Sequence, residues 1–218
     1  MNERPHPGHS HEASLETSLD FINTLEFSGV ASVEHLPTSA HAVDWLAQRG
    51  LVHRADVERS FGRPGALERL RTVRSAMRQI NEAAADRRAA DQSAIVEVNR
   101  ALRARPVIEL APAEDGITVG HRHVGDPLDD ALATLIEPVV REIASGRRDR
   151  LRICANDTCR WVFFDESRTG RRRWCDMSTC GNRAKAARHR ARVRAGEGAG
   201  KGAGKGAEEG RAEPAPSP

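Results

Sequence analysis

The sequence predicts an α+β fold that is mainly α: a helical N-terminal domain with a small β-hairpin, then a short cysteine-bearing module of two strands and a helix. Three observations carry this. Apolar residues recur at helical spacing over most of residues 15–146. The period changes to short β-branched runs near residues 107–124. All four cysteines fall between positions 154 and 180, as C-x4-C, a gap of fifteen residues, and C-x4-C again.

Residues 1–14 are polar, with His6, His9 and His11, and read as a disordered terminus. "SLETSLDFINTLEFSG" then places Leu15, Leu19, Ile22 and Leu25 near one helical face, with Ser14 as N-cap and Gly29 as the stop. "TSAHAVDWLAQRGL" predicts a second helix from Thr38 or Ser39 to Gly50, with Val43, Trp45, Leu46 and Leu51 apolar. "RADVERSF" adds a short third helix. The longest helix signal is "GALERLRTVRSAMRQINEAAADRR", whose Leu67, Leu70, Val73, Met77, Ile80 and Ala84 form one stripe between wet arginines and glutamates. "DQSAIVEVNRALRAR" continues with Ile95, Val98 and Leu102 inside, until Pro106 ends it.

"VIEL" and "ITVGHRHV" flank "APAEDG" and read as a β-hairpin, with His121 and His123 as a surface pair on one strand face. "DPLDDALATLIEPVVREIASG" restarts helix: Asp126 caps it and Pro127 takes the first helical position. Leu128, Leu132, Leu135, Ile136, Val139 and Ile143 face the core, and Pro138 is expected to kink the helix by removing a bond near Thr134. Residues 147–195 form the cysteine module. Residues 196–218 are Gly/Ala/Pro-rich without apolar period and read as a disordered tail. No strand precedes its Gly-Lys repeat and no Ser or Thr follows Lys201 or Lys205, which excludes a phosphate loop.

The 218 residues suffice for one mid-sized core plus a small module. No apolar run has the length of a signal peptide core or a membrane span, so a soluble cytoplasmic protein without a membrane partner is expected. Charge is segregated. Residues 1–146 hold 16 Lys+Arg against 22 Asp+Glu, a net of −6, while residues 147–195 hold 15 against 5, a net of +10. Arginine abundance by itself reflects little, since lysine occurs only at 185, 201 and 205 and a GC-rich genome produces the same bias. The local excess is informative, and it points to a polyanion partner for that segment.

"LRIC" and "RWVFFD" read as two strands joined by "ANDT", with Cys154 and Cys159 at the turn, and Cys175 and Cys180 bracket the start of a helix running from about Ser178 to Arg194. Two ligands from a knuckle and two from a helix N-terminus converge in a treble-clef-like arrangement. Four thiolates suit one structural Zn2+, which prefers a closed tetrahedral site. An iron site and a disulfide pair are the alternatives. Trp161, Phe163, Phe164 and Trp174 are expected to form a mini-core, and Ala184, Ala187 and Ala191 a small-residue stripe that lets the helix lie against the strands.

"CGNR" at Cys180–Arg183, preceded by "CANDTCRWVFFDESRTGRRRWC", resembles the CGNR zinc finger of bacterial proteins. Upstream, "LDFINT" at Leu19–Thr24, Trp45 and Asn99 resemble the ABATE-type domain usually fused to it. The resemblance spans residues 15–194. It implies Cys154, Cys159, Cys175 and Cys180 as zinc ligands and a role as a stress-induced transcription regulator.

Three functions follow. The first is a DNA-binding transcription regulator, with the N-terminal domain as sensor or dimerisation unit. Its candidate nucleic-acid contacts are Arg168, Arg171, Arg172 and Arg173 in the loop, and Asn182, Arg183, Lys185, Arg188, Arg190 and Arg192 on the helix. Asn182 has a structural alternative, capping the helix or bonding a thiolate. A homodimer is expected because a lone finger reads few base pairs. The second is a zinc-dependent module for RNA or protein. The third is an enzyme, disfavoured because no nucleophile–base pair is visible. Asp20, Asn23 and Thr24, polar residues inside an apolar helix, are candidates for a ligand pocket or for backbone bonding at a helix contact.

Overall fold

The computed structural model describes residues 13–202 apart from 30, 105–106, 114–115 and 123–124. His6, His9, His11 and His123 lie outside the described residues. The chain divides into two compact units, residues 1–175 and 176–218.

In the first unit, α1 spans Leu15–Asn23, and the Ser14 hydroxyl accepts from the Thr17 N–H as its N-cap. The apolar period suggested that this helix runs on through Leu25. Instead the chain turns at Thr24, whose hydroxyl donates to the Phe21 carbonyl at 2.7 Å. An antiparallel hairpin follows, β1 (Leu25–Ser28) and β2 (Ala31–Glu34). Leu25 sits at a position that fits either period, and the Gly29 backbone, at φ 68°, takes the left-handed turn that closes the hairpin.

The remaining helices are α2 (Ser39–Gln48), α3 (Arg54–Phe61), α4 (Ala66–Asp86), α5 (Gln92–Leu102) and α6 (Pro127–Ala144). Thr38, Asp91 and Asp126 cap α2, α5 and α6 with their side chains. On α4, Leu70, Val73 and Met77 are buried, with Leu67, Ile80 and Ala84 packed at the edge. The helix α6 continues through Pro138 and buries Leu132, Leu135 and Ile136 in the same core as Phe21, Ile22 and Leu46. Between α5 and α6 stand β3 (Val107–Ala113) and β4 (Gly116–Arg122), paired antiparallel with Leu110 opposite Val119. His121 lies on β4.

The strands of the cysteine module, β5 (Leu151–Ile153) and β6 (Val162–Phe164), also belong to this unit. The expected aromatic mini-core does not form as such: of its four members only Phe163 is buried, and Leu151 and Val162 take the inner places. Register explains this. Leu151 pairs with Phe164 and Ile153 with Val162, so these four share one face, and all four pack into the helical core. Phe163, opposite Arg152, faces the other way.

The second unit begins with a π-helical turn, Met177–Gly181, capped by Asp176, and continues as α7, Asn182–Gly202. The helix thus passes Arg194, its expected end, and enters the stretch from residue 196 that the sequence suggested as a disordered tail. No proline interrupts it before Pro214, and extending a helix costs far less than nucleating one. Of the predicted alanine stripe, Ala184 is half-buried and Ala187 and Ala191 are exposed. Methyl groups offer little area to bury. Among the described residues no helix is long and apolar enough to cross a membrane.

Candidate metal centre and basic helix

The knuckle between β5 and β6 is built by local hydrogen bonds. The Cys154 N–H donates to the Trp161 carbonyl at 2.9 Å and the Cys159 N–H to the Asn156 carbonyl at 2.8 Å. The Asn156 side chain accepts from the Thr158 N–H at 3.2 Å. Arg160, at φ 50°, turns the chain back into β6. This left-handed residue directly after a cysteine keeps the loop short enough for both thiols to face one point.

The loop that carries Cys175 is ordered by Asp165. Its carboxylate accepts from the backbone N–H groups of Ser167 at 3.0 Å and Arg172 at 2.8 Å. Burial opposes the charge, but these bonds and the neighbouring Arg150 hold the carboxyl below its ordinary value. Cys180 lies in the π-helical turn, where Asp176 accepts from the Thr179 N–H at 2.7 Å. Hydrogen bonds from Ser178 and Thr179 keep Asp176 ionised down to about 2.

The ligand atoms of Cys154, Cys159, Cys175 and Cys180 all lie within 4.8 Å of one another, and none is in a disulfide. The Sγ atoms of Cys159 and Cys175 are 3.7 Å apart. Four thiolates at Zn–S distances near 2.3 Å in a tetrahedron have their sulfurs about 3.8 Å apart, close to the Cys159–Cys175 spacing and inside the 4.8 Å that encloses all four. Burial and the adjacent Cys154 and Cys159 thiols push the Cys175 thiol well above its ordinary value. A divalent cation bound by such a thiol displaces its proton, which couples metal binding to ionisation. With four protein ligands the site is closed: zinc there holds the fold together and leaves no position for substrate.

The knuckle is held to the helices by two side chains, Asn23 and Arg78. The Asn23 amide donates to the Val162 carbonyl at 2.8 Å and its oxygen accepts from the Val162 N–H at 2.9 Å. Arg78 donates to the Arg160 carbonyl at 3.1 Å and to the Leu25 carbonyl at 3.2 Å. The sequence made Asn23 a candidate for backbone bonding at a helix contact without pointing to Val162 as its partner, and placed Arg78 among the wet arginines of α4. Burial lowers the Arg78 guanidinium to about 10, still charged at neutral pH.

The three pocket candidates are therefore placed as follows. Asn23 is spent on Val162. Thr24 donates to Phe21 and accepts from Arg74 at 2.9 Å. Asp20 is partly buried, and burial raises its pKa against the pull of Arg49.

Of the candidate nucleic-acid residues, Arg168, Arg171 and Arg173 are exposed in the first unit. Arg172 is half-buried, donates to the Cys175 carbonyl at 2.5 Å and lies over the Phe163 ring. In the second unit, Arg183, Lys185, Arg188, Arg190 and Arg192 are exposed along α7. Asn182 is exposed too, and its amide donates to the Ser178 carbonyl at 3.0 Å, one turn back.

A helical domain joined to a closed four-cysteine site followed by a basic helix defines a zinc-finger protein. The CGNR zinc finger model matches residues 150–193. The ABATE model, described as "Putative stress-induced transcription regulator", matches residues 15–146, which is more than half of the chain. The protein belongs to that family. No curated protein matches the chain.

Proposed function

We propose that this protein is a DNA-binding transcription regulator whose helix α7 carries the contact to DNA and whose N-terminal domain is the sensor. One observation carries the reading: the charge of α7 is uncompensated. No acidic residue lies between Asp176 and Glu197, while Arg183, Lys185, Arg188, Arg190, Arg192 and Arg194 are exposed. Several arginines of the first unit are used differently. Arg54 pairs with Asp44, Arg74 with Glu34, Arg141 with Glu137 and Arg160 with Glu82. Among the described residues no acidic side chain pairs with these cations, and a phosphate backbone matches such a stripe. Lys185, Arg188 and Arg192 fall on one exposed helical face. An α-helix fits the major groove, where arginine reads guanine.

Zinc in the cysteine cluster crosslinks the knuckle to the turn that precedes α7, and bound zinc supplies no reaction. Fluorescence anisotropy with duplex DNA at varied salt tests the reading. If about five side chains neutralise phosphates, log K falls against log salt with a slope of about −4.5. The double variant R188Q/R192Q should flatten the slope by about two units. A competing single-stranded RNA that displaces the duplex at equal nucleotide concentration, or an unchanged slope in the variant, overturns it.

A further inference from the structure

A cleft of about 310 Å3 in the first unit has no part in the metal centre or in α7. Apolar Ile22, Leu25 and Phe27 line it together with the cationic Arg74, Arg78 and Arg160. Arg74 and Arg78 are only 3% and 7% exposed. Both keep a buried Nε–H without a hydrogen-bond acceptor. Such groups are rare in folded proteins, because an unpaired buried donor forfeits its hydration.

The three arginines differ in how their charge is met. Arg74 forks onto Glu34, with 2.7 Å from its Nη1 to Oε1. Arg160 donates to Glu82 at 3.0 Å, which also occupies the acidic residue of the cleft wall. Among the described residues Arg78 donates to neutral oxygens, the carbonyls of Ile22, Leu25 and Arg160 and the amide oxygen of Asn23. Arg78 and Arg160 both lie over the Phe27 ring, 4.8 and 5.5 Å from its centroid. Counting carboxylates alone, the three arginines exceed Glu34 and Glu82 by one, and the Cys159 thiol is a further negative group acting on Arg78. A buried charge of this kind is costly unless a counterion completes it.

We propose that this cleft binds a small organic monoanion, a carboxylate on an apolar body, with the head group accepting from Arg78 and Arg74 and the body packed on Phe27, Leu25 and Ile22. This deepens the sensor half of the function proposed above by giving its ligand class. It also places that ligand one residue from a zinc-site cysteine, since Arg160 follows Cys159 and accepts from Arg78 through its carbonyl.

Isothermal titration calorimetry on the full, zinc-loaded chain tests it without DNA, so a failure here leaves the DNA reading standing, and the reverse. Benzoate is the probe; benzamide is its neutral counterpart, and inorganic phosphate an anion without an apolar body. One benzoate should bind per chain, with benzamide and phosphate each about tenfold weaker or more. Gln79 is an exposed residue of the cleft, and Gln79→Glu offers Arg78 an internal carboxylate. It should weaken benzoate about tenfold without lowering the melting temperature of the free protein. Ser75→Leu, which fills the cleft without changing charge, should do the same to benzoate. Absence of benzoate binding at roughly millimolar concentration, equal binding of benzamide, or full benzoate affinity in both variants overturns the proposal.

Discussion

Replacing Asn23 by alanine removes a side chain that serves as a strand partner. Asn23 is 2% exposed, and it meets both backbone groups of Val162, 139 residues away in sequence. The substitution leaves the Val162 N–H and C=O without those partners in a core where Val162 is fully buried. Each buried orphan costs about 1–3 kcal/mol. Partial relaxation offsets some of this, so a loss of about 3 kcal/mol is expected. For a chain of this size that corresponds to a fall in Tm of roughly 6–12 °C. Because Val162 sits three residues beyond Cys159, the variant should also give up its zinc faster. Urea unfolding followed by tryptophan fluorescence reads the first effect, and transfer of zinc to a coloured chelator reads the second. Asn23→Asp keeps an acceptor for the N–H but sets a carboxylate against the Val162 carbonyl, and should be no better than alanine. A loss below about 1 kcal/mol, the worth of an ordinary solvent-competed hydrogen bond, would refute the assignment of Asn23 as the clamp.

Further outcomes follow from the same structure. Elemental analysis should find one zinc per chain, and Cys175→Ser should lose it along with the circular-dichroism signal of the C-terminal helix. Leu132→Ala, at a fully buried position of α6, should cost about 2–5 kcal/mol in urea unfolding. Glu34 contributes a pH dependence. Burial works to raise its pKa, but the bonds from Arg74 and the Leu36 N–H prevail and lower it from 4.5. Its stabilisation is therefore complete above 4.5 and lost as pH falls through the lower folded value. Unfolding curves of Glu34→Gln and the parent should differ at neutral pH and converge in acid; a constant difference would contradict the ion pair with Arg74.

What could be read from the sequence was local. The helices α2 to α6 announced themselves because burial on one side of a helix imposes a period within a single segment, as Leu70, Val73 and Met77 show. The four cysteines were legible because a metal needs specific donors, and here all four fall within a short span. The basic character of α7 was a matter of counting. The hairpin β1–β2 was missed because Leu25 satisfies helix and strand periods alike until Thr24 ends α1. The expected mini-core was misplaced because Trp161 and Trp174 looked the larger apolar residues, whereas strand register turned Leu151 and Val162 inward.

The sequence by itself determined where the helices lie, that four thiols form one metal site, and which segment is cationic. Tertiary structure decided that β5 and β6 join the helical core, that Asn23 completes Val162, and that Arg78 meets Arg160 beside an apolar cleft. These are encounters between residues dozens to more than a hundred positions apart, and a hydrogen bond leaves no periodic trace in the chain: a buried asparagine or arginine looks the same in sequence whatever its partner is.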